Sequence, residues 1–369
     1  MIKKKEKDMD MDEEEKREMR QQRVDERRRR QKRRKKQQIV LTIILILIIV
    51  AMVIMGVKLM NKREVASVSK LDVKPTEQVT PTPEVTPEIT PTATPTPEPT
   101  PTEEPIQKIS DENLNSSYGY LIRLSDQAEL MNKESTARMY PSSLTKIMTA
   151  MVSVEHLPDL DERVVLSGDM IRNLYDKGAS MAHFVGGENV TVRDLLYGAM
   201  LPSGADACVG LAQKVAGSEE AFVEMMNQKA AELGLQGTHF VNSTGLHDEE
   251  HYSTCQDIAI ILKHALNNES FRSVFTSENY TTTSTPPHPK GITFENKMFQ
   301  RMGDPNLSNG GIIEGGKTGY TSYSGLCLAS LAKIGEEEYI LVTAHAEGGP
   351  STEQYNITDA LYVYNQING

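Results

Sequence analysis

The chain has 369 residues and a formal net charge of −11, so it is longer than one ordinary domain and acidic as a whole. The charge is divided unevenly, because residues 1–38 hold 17 Lys or Arg against 10 Asp or Glu, whereas the remainder is acidic. No aromatic side chain interleaves the basic residues of this first segment. It therefore lacks a platform for stacking bases, and we expect no nucleic-acid partner.

The first predicted element is a single transmembrane helix over residues 39–57, where only Thr42 and Gly56 interrupt a run of Ile, Leu, Val, Met and Ala. At about 1.5 Å per residue this run spans about one hydrocarbon core, and a helix satisfies all of its backbone groups inside lipid. A dense cationic block at 27–36 precedes it, which predicts a charged cytoplasmic tail over residues 1–38 and an extracytoplasmic remainder. A cleaved signal peptide is the competing interpretation, but the long basic lead and the long apolar core favour a retained anchor.

Residues 58–108 are predicted as an extracytoplasmic linker, because a tract of Thr, Pro and Glu fills most of this segment from Pro75 to Pro105. Proline removes amide donors and fixes φ, so such a tract forms an extended, semi-stiff spacer. Its predicted function is to hold the domain that follows, residues 109–369, away from the membrane.

The composition of residues 109–369 is that of an ordinary domain with a substantial core. Apolar runs predict strands near its two ends, at 118–124 and in a hairpin of 325–333 with 339–345. Helical periodicity predicts residues 143–156, a helix opened by a capping pair at Thr191 and Asp194, residues 218–233, and a closing helix at 351–367. The predicted fold class is α+β, with an antiparallel sheet flanked by helices and a mainly helical subdomain.

Three cysteines, Cys208, Cys255 and Cys327, are too few and too scattered for a disulfide framework. Cys208 and Cys327 lie in apolar runs, which favours buried free thiols. None of the three has a neighbouring cysteine at the C-x-x-C spacing of a zinc site.

Residues 143–146, of sequence SLTK, form one of three S-x-x-K matches in the chain. The match at Ser67 lies in the predicted linker, and the match at Ser330 lies on a predicted strand, where residues three apart point to opposite faces. Only Ser143 and Lys146 fall on a predicted helix, where residues three apart are neighbours. A serine hydroxyl needs a base to become nucleophilic, and a buried, neutral lysine can be that base. Taken alone, the motif is better explained by an ordinary helix start with an exposed lysine.

A second motif, Lys317-Thr318-Gly319, occurs once and lies immediately before the predicted hairpin. On an edge strand, such a segment can present a cation and a hydroxyl to a carboxylate, and its glycine lets a substrate approach the backbone closely. The alternative interpretation is a polar turn that enters a strand. S-x-x-K followed by K-T-G is the motif pair of penicillin-binding proteins and β-lactamases.

With both motifs in this order, residues 110–369 resemble the low-molecular-mass penicillin-binding proteins, the serine D-alanyl-D-alanine carboxypeptidases. The resemblance implies the penicillin-binding protein or serine β-lactamase-like fold. It is carried by five segments, namely 141–150 (PSSLTKIMTA), 194–204 (DLLYGAMLPSG), 238–246 (THFVNSTGL), 251–254 (HYST) and 317–321 (KTGYT).

The resemblance implies a two-step acyl transfer, with Ser143 as the nucleophile and Lys146 as the base that accepts its proton. Ser203 is expected to relay a proton to the leaving amine. The backbone amides of Ser143 and Tyr320 are expected to form the oxyanion hole. Neither a metal nor another cofactor is implied.

The resemblance also implies a substrate, the peptidoglycan stem peptide that ends in D-Ala-D-Ala, and β-lactams as covalent inhibitors. Lys317 and Thr318, with Thr321, are expected to hold the terminal carboxylate. Gly319 and Tyr320 are expected to contact the substrate through their backbone.

Two departures from the family pattern weaken the expected substrate contacts. The second motif of the family is usually Ser-x-Asn, whereas this chain has Ser203-Gly204-Ala205, and alanine makes none of the side-chain hydrogen bonds of asparagine. A basic residue often follows the last hairpin of the family, but residues 348–354 contain none. A weakly active or inactive penicillin-binding module of the cell wall is therefore the alternative to an active carboxypeptidase.

Two other enzyme classes fit the sequence less well. His247 and His251 are spaced as on a metal-binding helix, but their segment has the character of a loop and does not match H-E-x-x-H, which disfavours a zinc hydrolase. A β-lactamase requires carboxylate-assisted deacylation, and the chain offers neither S-D-N nor a convincing Glu for it.

Overall fold

A computed structural model describes residues 106–368 of the chain. The predicted cytoplasmic tail at 1–38, the predicted transmembrane helix at 39–57 and nearly all of the predicted linker at 58–108 lie outside the described residues. Within the described part, no helix combines the length and the apolar character that crossing a bilayer requires.

Nine β-strands form one central sheet and two small ladders within residues 106–368. In chain order they are β1 (Tyr118–Arg123), β2 (Glu129–Lys133), β3 (Arg163–Val165), β4 (Asn189–Thr191), β5 (Asn279–Thr281), β6 (Thr293–Glu295), β7 (Ile312–Thr321), β8 (Gly325–Ile334) and β9 (Glu337–Ala346). The central sheet is antiparallel and has the strand order β2-β1-β9-β8-β7, while β3-β4 and β5-β6 are separate pairs. The sheet therefore joins the two ends of the domain, and the predicted hairpin is confirmed as β8 and β9.

Nine α-helices are described alongside these strands. In chain order they are α1 (Thr145–His156), α2 (Gly168–Asp176), α3 (Val192–Met200), α4 (Ala205–Ala216), α5 (Glu219–Glu232), α6 (Cys255–Ala265), α7 (Glu269–Phe275), α8 (Lys297–Met302) and α9 (Tyr355–Tyr364). The first seven lie between β2 and β5 and form the predicted helical subdomain, whereas α8 precedes β7 and α9 follows β9.

Local sequence signals explain where several helices begin and end. Thr191 and Asp194 form the predicted capping pair of α3, because the Thr191 hydroxyl accepts from Asp194 N at 3.0 Å and the Asp194 carboxylate accepts from Thr191 N at 3.2 Å. Ser218 caps α5 by accepting from Ala221 N at 3.1 Å. Gly217 ends α4 with a φ of +79°, a conformation that glycine adopts without strain.

The closing helix is shorter than predicted, since α9 begins at Tyr355 whereas the periodicity predicted a start at residue 351. Side chains compete with the helix for backbone groups in this segment. Gly349 N donates to the Thr352 hydroxyl at 2.9 Å, and Gln354 Nε2 donates to Gly349 O at 3.0 Å. The chain therefore completes a turn before the helix begins.

Apolar side chains cover both faces of the central sheet. Along β1 the alternation of the strand assigns Tyr120 and Ile122 to a large core shared with the helical subdomain, and Leu121 to a second core. The second core includes Ile357 and Tyr364 of α9, which closes the other face of the sheet. All three cysteines are buried free thiols, which confirms the prediction for Cys208 and Cys327 and adds Cys255.

Candidate active site

The S-x-x-K motif begins in a 3-10 turn, Ser142–Leu144, and not directly in the α-helix. Pro141 precedes this turn, and Ser142 has a left-handed φ of +45°, which is a strained value for a residue other than glycine. Ser142 is buried, whereas Ser143 is half-buried and faces β7. The predicted helix is confirmed from Thr145 onward, and the serine candidate belongs to the tighter turn that leads into it.

Lys146 lies one turn along and is buried, with its Nζ atom 3.1 Å from Ser143 Oγ. The same nitrogen donates to the carbonyl of Thr244. Burial lowers the pKa of Lys146 from its usual 10.5, and the nearby Cys208 and Asp206 oppose this shift only in part. Burial also raises the pKa of the Cys208 thiol to about 12. The thiol is therefore neutral at physiological pH and does little to raise the pKa of Lys146. The environment therefore favours the neutral amine, which is the form that can accept a proton.

The carbonyl of Thr244 is held beside Lys146 by a loop for which the motifs predicted no role. Thr149 Oγ1 donates to the carbonyl of Ser243 at 2.7 Å. Glu219 Oε1 accepts from Ser243 N at 3.0 Å and from Ser243 Oγ at 2.8 Å. These contacts fix the loop to α1 and α5. Thr244 is a site contact that sequence analysis missed, because a backbone carbonyl leaves no signature in the residue type.

Ser203 joins the serine candidate to a second lysine. It follows α3 in a turn and is buried, with a left-handed φ of +67°. Its Oγ atom lies 2.9 Å from Ser143 Oγ and 3.0 Å from Lys317 Nζ. We refer to Ser143, Lys146, Ser203 and Lys317 as the Ser–Lys centre.

Ala205, at the position where the family usually has asparagine, is buried at the start of α4. Its backbone N donates to Ser180 O at 2.7 Å. The next residue, Asp206, accepts from Ala182 N at 2.8 Å and from Phe184 N at 3.2 Å. This position is therefore a structural junction between α4 and the segment before β4, and Ala205 adds no polar side chain to the Ser–Lys centre.

The K-T-G motif lies on β7, and the predicted edge position is confirmed because β7 is the last strand of the sheet. Lys317 is buried, and its Nζ atom donates to Thr318 O at 3.0 Å as well as to Ser203. Burial, followed by repulsion from Lys146, holds the pKa of Lys317 well below its usual value. Across residues 106–368, no carboxylate lies within ion-pair distance of either lysine.

Close packing of β7 on the serine turn depends on Gly319. A Cβ atom at Gly319 would lie 2.3 Å from Ser142 Oγ, 3.2 Å from Pro141 O and 3.3 Å from Ser143 N. Two of these neighbours are backbone atoms, which cannot rotate away. Glycine is therefore the residue that lets the strand lie beside the nucleophile candidate.

The remaining predicted substrate-binding residues, Tyr320 and Thr321, continue β7 and are half-buried. Thr321 N donates to Ser324 Oγ at 2.8 Å, which ties the end of β7 to the turn before β8. Tyr323, in that turn, is 58% exposed and stacks on His247 with 3.7 Å between the ring centroids. An aromatic wall therefore borders this end of β7.

The two histidines with metal-like spacing are engaged with protein groups. His251 is buried, with Nε2 2.7 Å from Thr145 Oγ1 and with Nδ1 accepting from Val241 N at 3.1 Å. Burial lowers the pKa of His251 to about 4, so the ring is neutral at physiological pH. His247 instead packs against Tyr323. The two rings have separate packing partners and do not converge on a common point between them.

The Ser–Lys centre places one serine hydroxyl between a buried lysine and a second serine–lysine pair, within an α+β fold. This arrangement is typical of serine acyl transferases that use lysine as the base. A sequence model of the D-alanyl-D-alanine carboxypeptidase family matches residues 110–348. The chain belongs to this family.

Curated relatives carry the same description. D-alanyl-D-alanine carboxypeptidase DacF of Bacillus subtilis is 38% identical over 239 residues, which cover 63% of this chain and 57% of the relative. A D-alanyl-D-alanine carboxypeptidase of a Streptomyces species is 31% identical over 252 residues, covering 66% of this chain and 81% of the relative. DacD of Escherichia coli is 32% identical over 224 residues, covering 58% and 54%. The chain thus spans little more than half the length of DacF and DacD.

Solved structures support the fold prediction. The Streptomyces DD-transpeptidase has a TM-score of 0.62 and 29% sequence identity, covering 70% of this chain and 98% of that one. Penicillin binding protein 5 from Haemophilus influenzae has a TM-score of 0.61 and 25% identity, covering 70% and 72%. The predicted α+β class, with an antiparallel sheet and flanking helices, is confirmed.

Proposed function

We propose that the chain is a serine D-alanyl-D-alanine carboxypeptidase that removes the terminal D-alanine from peptidoglycan stem pentapeptides. The observation that carries the proposal is the double contact of Ser143 Oγ, with Lys146 Nζ at 3.1 Å and with Ser203 Oγ at 2.9 Å. Membership in the D-alanyl-D-alanine carboxypeptidase family supports the reaction type and the substrate class.

In the first step, Ser143 Oγ attacks the carbonyl carbon between the two D-alanines. Lys146, whose neutral form burial favours, takes the hydroxyl proton while the new C–O bond forms. Negative charge develops on the carbonyl oxygen, where the backbone N–H groups of Ser143 and Tyr320 donate. Removal of one such donor typically raises the barrier by about 2.7–4 kcal/mol.

In the second step, the C–N bond breaks and the departing D-alanine amine takes up the proton that Ser143 released. This proton travels through the Ser203 hydroxyl, which contacts both Ser143 and Lys317. Water then attacks the acyl-enzyme with Lys146 again as the base, which releases the shortened peptide and restores Ser143.

The terminal carboxylate of the substrate binds Lys317 and Thr318, with Thr321 further along β7. An incoming carboxylate favours the protonated form of Lys317 and so offsets the effect of burial on its pKa. Gly319 and Tyr320 contact the substrate through their backbone, along the edge of β7 that pairs with no other strand of the described chain.

Ala205 does not interrupt this network, because the hydroxyl that joins Ser143 to Lys317 belongs to Ser203. The active enzyme is therefore better supported than the inactive cell-wall module.

We also propose that residues 39–57 anchor the chain in the cell membrane as a single span, with residues 1–38 in the cytoplasm and the catalytic domain outside. The apolar run and the cationic block before it support this arrangement. The Thr/Pro/Glu tract within residues 58–108 acts as an extended spacer that lets the domain extend from the membrane to the cell wall.

Mass spectrometry of muropeptides incubated with the full-length chain tests the reaction. Pentapeptide species are expected to lose one alanine, also in the presence of a metal chelator, and Ser143→Ala is expected to leave them unchanged. Fluorescent penicillin is expected to label the unaltered chain but not Ser143→Ala. A chain that neither trims nor labels, or an adduct on another side chain, would contradict the proposal.

A further inference from the structure

The aromatic wall at the Tyr320 end of β7 has a third member, and the mechanism above uses none of the three rings. Tyr323 stacks on His247 with 3.7 Å between the ring centroids and 6° between the ring planes. Tyr140 meets the His247 ring at 85°, with 4.7 Å between the centroids, and its centroid lies 6.5 Å from that of Tyr323. The wall therefore consists of two parallel rings that Tyr140 supports from the side.

Each of the three rings belongs to a segment close to the nucleophile candidate. Tyr140 lies three residues before Ser143 in the chain. His247 lies two residues after Gly245, where an added Cβ atom would be only 3.0 Å from Ser143 N. Tyr323 lies in the turn between β7 and β8, beyond the K-T-G motif. The wall therefore stands beside the serine turn, on the side where β7 ends.

Tyr323 is the ring of the wall that is open to a ligand. It is 58% exposed, whereas Tyr140 and His247 are half-buried. Because His247 covers one face of the Tyr323 ring, the other face is the part open to solvent. A ring that is already held by stacking loses little conformational freedom when a ligand binds. Tyr323 is therefore a preorganised platform for a group that binds an aromatic face.

The chain around this platform is acidic. Residues 244–250, 320–325 and 346–354 contain no Lys or Arg, and an added Cβ atom at Gly349 in the last of these segments would be 3.2 Å from the Tyr320 hydroxyl. The three segments contain five exposed carboxylates, Asp248, Glu249, Glu250, Glu347 and Glu353.

These five carboxylates are not neutralised by neighbouring basic side chains. None of them forms an ion pair with another part of the described chain. The basic residue closest to the wall in sequence, Arg138, instead stacks on Tyr252, with 3.6 Å from the guanidinium carbon to the ring centroid. The face of a tyrosine ring and nearby carboxylates both attract positive charge. The surroundings of Tyr323 therefore suit a cationic group.

The proposed reaction determines which part of the substrate reaches the wall. The terminal carboxylate binds at Lys317 and Thr318, and the oxygen of the scissile carbonyl accepts from the backbone amide of Tyr320. The residue that precedes the two D-alanines therefore lies beyond Tyr320, toward the turn that carries Tyr323.

We propose that the open face of Tyr323 binds the amine of a basic side chain on the residue that precedes D-Ala-D-Ala in the stem peptide. The ammonium group lies over the ring as a cation–π contact, and the nearby carboxylates add to the attraction. This inference rests on the proposed function and adds a selectivity for the acyl half of the substrate. The site prefers a peptide with a free side-chain amine to the same peptide with that amine acetylated.

Two peptides that differ only in this charge test the inference through kcat/KM of the full-length chain. They are Nα-acetyl-lysyl-D-Ala-D-Ala and the same peptide with its side-chain amine also acetylated. The unaltered chain is expected to prefer the free amine by about two- to fivefold, the range that a cation on a partly exposed ring supplies. Tyr323→Leu is expected to abolish this preference, whereas Tyr323→Phe keeps the ring and is expected to retain it.

Tyr175→Leu is the matched control, because Tyr175 is a tyrosine of similar exposure, 52%, on α2. Its hydroxyl lies 3.5 Å from His183 Nδ1, and its ring stacks on none of the three rings of the wall. It is expected to leave the ratio of amine to acetamide unchanged. Thermal unfolding followed by circular dichroism verifies that Tyr323→Leu and Tyr175→Leu are folded at the assay temperature.

Acylation of Ser143 by two penicillins gives a second readout that needs no peptide turnover. One carries a 6-aminohexanoyl side chain, and the other carries the N-acetylated form of the same side chain. Tyr323→Leu is expected to slow acylation by the amine about two- to fivefold and to leave acylation by the acetamide unchanged. A chain that is acylated but does not hydrolyse the peptides contradicts the proposed function alone, and the two penicillins still test Tyr323.

Two results would overturn the amine subsite. The first is an equal preference for the amine in Tyr323→Leu and in Tyr175→Leu. The second is an equal loss for the amine and the acetamide in Tyr323→Leu, because the ring would then contact an uncharged part of the substrate.

Discussion

The Ser–Lys centre contains two lysines, Lys146 and Lys317, whose pKa values are lowered by burial. Lys146 and Lys317 are both buried, and repulsion from Lys146 adds to the effect of burial on the pKa of Lys317. The two differ in what they contact, since Lys146 contacts Ser143 directly and Lys317 contacts it through Ser203. This difference supports the division of roles between a base and a carboxylate ligand.

The proposed role of Lys146 as a base predicts a definite pH dependence. Because its pKa in the folded chain lies below the usual 10.5, the neutral amine persists to lower pH than in free lysine. Acylation of Ser143 is therefore expected to fall as the pH is lowered through this depressed pKa, where the amine becomes protonated. The acylation rate with fluorescent penicillin, measured from pH 5 to pH 9, checks the direction.

Substitution of the base separates Lys146 from the other cations. Lys146→Arg keeps a positive charge but cannot lose its proton, so it is expected to reduce acylation by about 10²–10⁴-fold, as is Lys146→Met. Denaturant unfolding is the control for folding. If Lys146→Arg acylates at the rate of the unaltered chain, Lys146 acts only through its charge and is not the base.

At the scale of elements, sequence patterns predict the structure correctly where local periodicity decides the geometry. The helical spacing of Ser143 and Lys146 predicted that they are neighbours, and the 3.1 Å contact agrees with this. The position of K-T-G before a hairpin predicted an edge strand, which β7 is. The 3-10 turn together with α1, and the strand β7, hold three of the four members of the Ser–Lys centre.

Other parts of the site depend on contacts between residues far apart in the chain and have no local pattern. Ser142 has a left-handed conformation where it packs against β7, and Thr244 O follows Ser243, which is bonded to α1 and α5. The position of α8 beside β7 depends on the contact of Asn296 with the carbonyl of Gly316. Only the folded chain reveals these three features.

The close approach of β7 to the serine turn gives a prediction for Gly319→Ala. The added Cβ meets Pro141 O at 3.2 Å and Ser143 N at 3.3 Å, so the strand has to move away by a few tenths of an ångström. We expect acylation to fall by at least about tenfold and the free energy of unfolding to fall by about 1–3 kcal/mol. Penicillin labelling and urea denaturation measure the two effects.

Gly168→Ala is the matched control for this prediction, because a Cβ atom there meets its nearest neighbour, Arg172, at an ordinary 3.5 Å. It is expected to change the free energy of unfolding by no more than about 0.5 kcal/mol and to leave acylation unaffected. Equal acylation rates for Gly319→Ala and Gly168→Ala would show that the fit of β7 to the serine turn is not needed.

At the scale of the whole domain, the sheet unites segments that are more than 200 residues apart in sequence. β1 pairs with β9, and the helical subdomain that carries Ser143 and Ser203 is inserted between them. The stability of the central sheet therefore depends on contacts between the first and the last segments of the domain. The sequence predicted strands at both ends, but it could not show which side chains join them.

Asp359 of α9 is a buried side chain that contributes to this connection. Its carboxylate is buried and accepts from Asn115 N and Nδ2, each at 2.8 Å, and from Ser116 N at 2.8 Å and Ser116 Oγ at 2.6 Å. Asp359→Asn replaces one acceptor oxygen with an NH₂ group that faces donors. We expect the free energy of unfolding to fall by about 3 kcal/mol, because hydrogen bonds to a buried charged group are among the strongest.

Urea denaturation of Asp359→Asn beside Asp176→Asn checks this expectation. Asp176 is exposed at the end of α2, so its substitution is expected to change the free energy of unfolding by no more than about 0.5 kcal/mol. Asp359 lies on the far side of the sheet from Ser143, and folded Asp359→Asn is therefore expected to react with penicillin at the unaltered rate. Equal unfolding free energies for the two variants would show that the connection through Asp359 does not stabilise the domain. A slower acylation of folded Asp359→Asn would show instead that strain at α9 reaches the Ser–Lys centre through the sheet.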